Sequence, residues 1–135
     1  MKSQLRRALV VDDSRAMRLI LGRALSNFGF DVIEAGDGRE ALEMLARNPV
    51  DVAMVDWNMP IMDGFALVNA IRRQPLFAYI RLVMVTSVAD LGHIDRALMA
   101  GADDFVVKPF SPQLLHDKLL MLGFFPKDAP LGRAS

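Results

Sequence analysis

Four short stretches carry the residues whose types could do chemistry together: Asp12-Asp13, Asp56 followed by Asn58, Thr86-Ser87, and Lys108-Pro109. Three carboxylates brought close together repel, which raises their pKa values and costs stability unless a cation joins them. A hard cation with oxygen ligands suits such a cluster. Mg2+ binds through one or two carboxylates together with waters and phosphate oxygens. Lys108 supplies a compact positive charge and Thr86 a hydroxyl donor, both suited to a phosphoryl group. A carboxylate nucleophile that forms an aspartyl-phosphate is established chemistry, and Mg2+ neutralises the charge that develops during transfer. Each residue also has a plainer reading. Asp56 alone fits an Asx-turn or a helix cap, Asp12 a cap, and Lys108 a solvated surface lysine. The chemical reading needs elements that deliver all of them to one place.

The elements do so. Val52-Ala53-Met54-Val55 is a short apolar run that meets Asp56 and breaks at Pro60, which reads as a strand buried on both faces. Ala8-Leu9-Val10-Val11 is an equivalent strand ending in Asp12-Asp13. Arg81-Leu82-Val83-Met84-Val85 ends in Thr86-Ser87, and Phe105-Val106-Val107 delivers Lys108-Pro109. A fifth strand, residues 30–35, mixes charge with apolar residues, as an exposed edge does. Helical patterns separate the strands. Ser14 caps one through Met17, Leu21, Leu25 and Phe28, and Asp37 with Glu40 opens one through Ala41, Leu42 and Leu45. Asp63-Gly64 starts a third through Leu67, Val68 and Ile71. Ile94, Ala97 and Leu98 mark a fourth, with Gly92 weakening its first turn, and Ser111-Pro112 opens a last one through Leu115, Leu119 and Leu122. Five strands alternating with five helices predict an α/β, doubly wound fold with a five-stranded parallel sheet. Ligands of such sheets bind at the carboxyl ends of the strands, where the four stretches lie.

Composition narrows the classes. At 135 residues and 53% hydrophobic content the chain reads as one ordered domain. No apolar run reaches the ~18 residues of a membrane span, and the basic N-terminus lacks the apolar core of a signal peptide. The absence of Cys suits the cytoplasm. Sixteen basic and sixteen acidic residues cancel, leaving no basic footprint for nucleic acid.

At these residues the sequence resembles the receiver domains of two-component response regulators, above all the stand-alone, CheY-like chemotaxis regulators. The resemblance covers roughly residues 5–122 and rests on Asp12-Asp13, Asp56-Trp57-Asn58-Met59-Pro60, Gly64, Thr86-Ser87 and Lys108-Pro109. It implies a flavodoxin-like strand order 2-1-3-4-5. It also implies roles: Asp56 as phosphoacceptor, Asp13 and Asp56 as direct Mg2+ ligands, and Asp12 as a ligand mostly through water. Asn58 would bind the metal through its backbone carbonyl. Lys108 matches the phosphoryl-binding lysine ahead of a typically cis Pro109. Thr86 matches the hydroxyl that moves onto the phosphoryl group, and Phe105 the aromatic that turns in behind it. The implied function is a signalling domain, not an enzyme. It takes a phosphoryl group from a histidine kinase and signals by changed binding of an unidentified output protein through the helix four, strand five, helix five face. Two departures stand out: Phe105 lacks the hydroxyl of the Tyr in these regulators, and Val88 is apolar where they carry Glu.

Alternatives are a phosphorelay intermediate that hands the phosphoryl group to a histidine phosphotransfer protein, and an aspartyl-phosphate phosphatase. The phosphatases look for Asp-x-Asp rather than adjacent Asp12-Asp13. A flavodoxin needs a hydroxyl- and glycine-rich loop where this chain places two acids, and a receiver that works without phosphorylation does not need the full acceptor set. The remaining expectations are plain. His93 and His116 are surface residues on helices, Arg15, Arg18 and Arg23 form the solvated side of the first helix, and the nine Met mostly fill the core. The receiver spans 1–122 and 123–135 is a tail, in which Phe124-Phe125 either packs on the body or meets another chain.

Overall fold

The computed structural model describes residues 6–125. Strand β1 (Arg7–Val11) leads to helix α1 (Arg15–Asn27), β2 (Asp31–Ala35) to α2 (Gly38–Arg47), and β3 (Val52–Asp56) to α3 (Gly64–Arg72). Strand β4 (Arg81–Ser87) precedes α4 (Ile94–Ala100), and β5 (Asp104–Lys108) precedes α5 (Pro112–Met121). All pairings are parallel and the order is β2-β1-β3-β4-β5. The predicted α/β doubly wound fold with order 2-1-3-4-5 is the one observed.

The period-2 alternation of the strands divides the core. Leu9, Val11, Ala53 and Val55 face a layer built by Ala41 and Leu45 of α2, Leu67 and Ile71 of α3, and Ala97 of α4. Ala8, Val10, Val52 and Met54 face the other layer, from Leu21 and Leu25 of α1 and Leu115 and Leu119 of α5. β2 is an edge strand, partly or fully exposed up to Glu34 and buried at Ala35. Side-chain caps start the helices where the sequence places them. Ser14, Asp37, Asp63 and Ser111 accept from the N–H of Met17, Glu40, Ala66 and Leu114.

The differences lie at element ends. Thr86 and Ser87 belong to β4, and Lys108 to β5. The approach to α4 is a 3-10 stretch, Val88–His93, that contains Gly92, so the α-helix starts two residues after that glycine. Phe124 and Phe125 pack on the body, edge-on to Phe30 at 5.5 and 5.9 Å, and residues 126–135 of the predicted tail lie outside the described residues. His116 is not a surface residue. It is 5% exposed, stacked on Phe125 at 4.6 Å and edge-on to Phe28 at 5.1 Å. It shares the buried face of α5 with Leu115 and Leu119, at the spacing of one helical stripe.

Candidate functional site

Register brings the predicted residues to one rim. Val11 stands beside Val55 and Asp56 beside Val85, so Asp12, Asp13, Asp56 and Thr86 emerge at neighbouring strand ends. Thr86 pairs with Val107 and Ser87 with Lys108, which carries the lysine to the same place. β1, β3 and β4 are buried almost throughout on the way to this rim, so their last polar residues are fixed by buried apolar neighbours, while β5 is only partly buried apart from Val106. Asp12, Asp56 and Thr86 are buried, while Asp13 is exposed.

Oxygen atoms of Asp12, Asp13 and Asp56 lie within 4.8 Å of one another. Lys108 Nζ donates to Asp56 Oδ1 at 3.0 Å, across 52 residues of sequence. Asp12 does not cap α1, since Ser14 does; its Oδ1 instead accepts the Ser14 N–H at 2.8 Å in an Asx-turn. Its Oδ2 is buried without a hydrogen-bond partner. A buried carboxylate oxygen left unpaired is costly. It is a site that a hard cation satisfies, so the residues present fit Mg2+. The carboxyls of Asp56 and Asp12 are both raised. Asp56 is pushed up to about 6, first by burial, against the hydrogen bond from Lys108, with the Asp12 charge adding to the rise. Asp12 is raised first by burial, against the Ser14 hydrogen bond. The predicted repulsion among the carboxylates is therefore present but secondary to desolvation. The arrangement offers a buried carboxylate of raised basicity, an ammonium bonded to it, and an unpaired anionic oxygen beside it.

The remaining predicted residues surround this centre without all touching it. The Thr86 hydroxyl donates to the Ser87 carbonyl at a long 3.4 Å rather than to Asp56 or Lys108. The Lys108–Pro109 bond is cis. Phe105 is partly buried against the α2–α4 side of the core, and Lys118 Nζ sits 4.9 Å from its ring centre. The Asn58 side chain donates to Asp90 Oδ2 at 2.6 Å, and Ser87 Oγ donates to the same oxygen at 3.0 Å.

Asp90 and the role of Arg18 escaped the sequence reading, and Gly64 was named there without its physical reason. Asp90 had a signal: Ser87-Val88-Ala89-Asp90 has the spacing of a capping box, and Asp90 N–H does donate to Ser87 Oγ. Arg18 is not on the solvated side of α1. Its Nη1 donates to the Asp12 carbonyl at 2.7 Å and its Nε to Glu34 Oε1 at 2.9 Å, bracing the end of β1. Gly64 accounts for a close approach. Its N–H donates to the Trp57 carbonyl, and a Cβ there would run into the Asp56 carbonyl oxygen.

Comparisons with known proteins agree with this geometry. The family model of the response regulator receiver domain matches residues 8–120. The chain is 44% identical over 113 residues to the chemotaxis protein CheY1 of Helicobacter pylori, covering 82% of this chain and 91% of that one. It is 40% identical over 112 residues to the chemotaxis protein CheY of Pseudomonas aeruginosa, covering 82% and 90%. The solved chemotaxis response regulator CheY4 of Vibrio cholerae superposes with a TM-score of 0.82 at 34% identity, over 88% of this chain and 99% of that one. No helix among the described residues is long and apolar enough to cross a membrane. On its sequence, its strand order and the placement of these residues, the chain belongs to the response regulator receiver domain family.

Proposed function

We propose that the chain accepts a phosphoryl group on Asp56 from a histidine kinase in the cytoplasm, and that phosphorylation changes its binding to an output protein. An Asp56 carboxylate oxygen attacks phosphorus, the O–P bond forms, and the P–N bond to the kinase histidine breaks. Asp12, Asp13, Asp56 and the Asn58 backbone carbonyl would hold Mg2+, which supplies positive charge to the phosphoryl oxygens. Lys108, already within 3.0 Å of Asp56 Oδ1, is placed to pass from the carboxylate to a phosphoryl oxygen. Thr86 and Phe105 link the centre to the face formed by α4, β5 and α5, which would bind the output protein. Two relatives bear the name chemotaxis protein, which favours an output of that kind. The observation that carries the reading is the buried, unpaired Asp12 Oδ2 beside the Lys108–Asp56 pair.

The reading is tested with acetyl phosphate and Mg2+, with protein-bound phosphate followed by intact mass. The parent should gain one acid-stable, base-labile phosphate. Asp56→Asn should gain none, and Asp13→Ala should label at least about tenfold more slowly. Equal labelling of Asp56→Asn and the parent would remove Asp56 from the role.

A further inference from the structure

Asp90 ties together the two loops that leave the rim on either side of Asp56. One oxygen, Oδ2, accepts from the Asn58 amide at 2.6 Å and from Ser87 Oγ at 3.0 Å, and the Asp90 N–H donates back to Ser87 Oγ at 3.3 Å. Asn58 stands two residues after Asp56, and Ser87 two residues after Val85, which pairs with Asp56. The clasp therefore ties the loop that follows Asp56 to the end of the strand paired with it. The amide and the hydroxyl it holds are neutral donors, and a phosphoryl group on Asp56 would offer them anionic oxygens instead. Asp90 and a phosphoryl group on Asp56 would therefore compete for the same two donors, and each donor that Asp90 keeps is withheld from the phosphoryl group.

We infer that Asp90 is a positioning residue that shortens the life of the aspartyl-phosphate by keeping the Asn58 amide and the Ser87 hydroxyl away from it. The inference rests on the reading of Asp56 as phosphoacceptor and adds a determinant of how long the phosphorylated form lasts. With Asp90 removed, the Asn58 amide turns to the phosphoryl oxygens, and its donation and its bulk both slow attack by water. The 3-10 stretch that leads into α4 is released from Asn58 at the same time.

The test is the decay of acid-stable protein phosphate after removal of acetyl phosphate, at fixed Mg2+. Parent, Asp90→Ala, Asn58→Ala and the double variant are compared, and circular dichroism reports the fold. Asp90→Ala should lengthen the half-life by about threefold or more. In the Asn58→Ala background the same change should lose most of that effect, because the donor it frees is gone. Asp90→Asn keeps the shape and an acceptor but not the charge. It should shift the half-life in the same direction by less, and it serves if the alanine variant fails to fold. A half-life that is unchanged or shorter in a folded Asp90 variant overturns the inference. Equal lengthening with and without Asn58 also overturns it, since the effect would then bypass the clasp. A parent that takes up no phosphate overturns both this inference and the acceptor reading, whereas a labelled parent with unaltered Asp90 variants overturns this one alone.

Discussion

Asp56 is held where a carboxylate is poorly solvated, and its pKa of about 6 against an ordinary 3.8 has a consequence for stability. Across that interval the folded chain keeps a proton that the unfolded chain has released. Stability is therefore greatest below the unfolded value and is lost as pH rises through the folded one. The shift corresponds to an order of about 2 to 3 kcal/mol withheld at neutral pH, and Asp12 is shifted in the same direction. In the presence of a chelator the protein should melt higher at about pH 5 than at about pH 7.5, and Asp56→Asn should flatten most of that slope. Mg2+ should add about 1.4 kcal/mol at roughly ten times its Kd, with a larger rise in melting temperature at the higher pH. Thermal scans in which the chelated parent loses stability on acidification over this range would refute the burial argument. Asp56, Lys108 and Thr86 were legible in sequence because residue type and position at a strand end define them. Asp90, Arg18 and His116 were not, because their roles depend on which way a side chain turns once helices have packed. The Arg18 guanidinium reaches a backbone carbonyl and Glu34, and His116 has an aromatic cage drawn from residues 28 and 125.

The strands were the most legible elements, since short Val- and Leu-rich runs closed by polar residues admit few other readings. Their ends were not, because pairing to a neighbour extends a strand beyond its apolar run. Thr86 and Ser87 join β4 by pairing with Val107 and Lys108. Connections were least legible. Arg72 at the end of α3 donates to the carbonyls of Gly101, Phe77 and Ile80 and to Asp103 Oδ2, clamping the far edge of α4 to the entries of β4 and β5. Only a guanidinium has enough donors in a rigid fork for that set, and nothing in the local sequence announces it. The α3 start is the element on which the site depends most directly. Gly64 lets the helix approach the Asp56 carbonyl, and an added methyl there also comes within 2.8 Å of Met84 Cε. Gly64→Ala should therefore push α3 away from β3, costing about 1 to 3 kcal/mol as overpacking does. It should also slow labelling of Asp56 in protein that remains folded. Chemical denaturation and acetyl phosphate labelling on the same samples check both effects. A variant of parental stability and labelling rate would mean that the helix start yields without moving Asp56.

At the scale of the whole molecule, the rim and the α4 side are joined by a chain of ring contacts. Trp57, directly after Asp56, stacks on His93 at 6.0 Å with the planes 4° apart, and lies 6.3 Å from Phe65. Arg96 of α4 sits over Phe65 at 4.5 Å. On the other side of α4, the Asp104–Lys118 ion pair at 2.9 Å holds the ammonium over Phe105 and ties β5 to α5. A change at Asp56 therefore meets the start of α4 through the contacts of Trp57 with His93 and Phe65. Trp57 is the chain's single tryptophan, so its emission reports this junction alone. A cation bound at the carboxylates alters the field at the indole, and a phosphoryl group on Asp56 alters both the field and the stack with His93. Mg2+ should change the emission in a saturable way, and acetyl phosphate should change it further only when Mg2+ is present. Asp13→Ala should lose the first response and Asp56→Asn only the second. Removing the stacked ring in His93→Ala should leave the Mg2+ response but reduce the phosphorylation response, because the turn leading into α4 no longer stacks on the indole. Emission indifferent to millimolar Mg2+ in protein folded by circular dichroism would mean that the three carboxylates share a rim without forming a metal site. A full phosphorylation response in His93→Ala would instead route the signal away from α4.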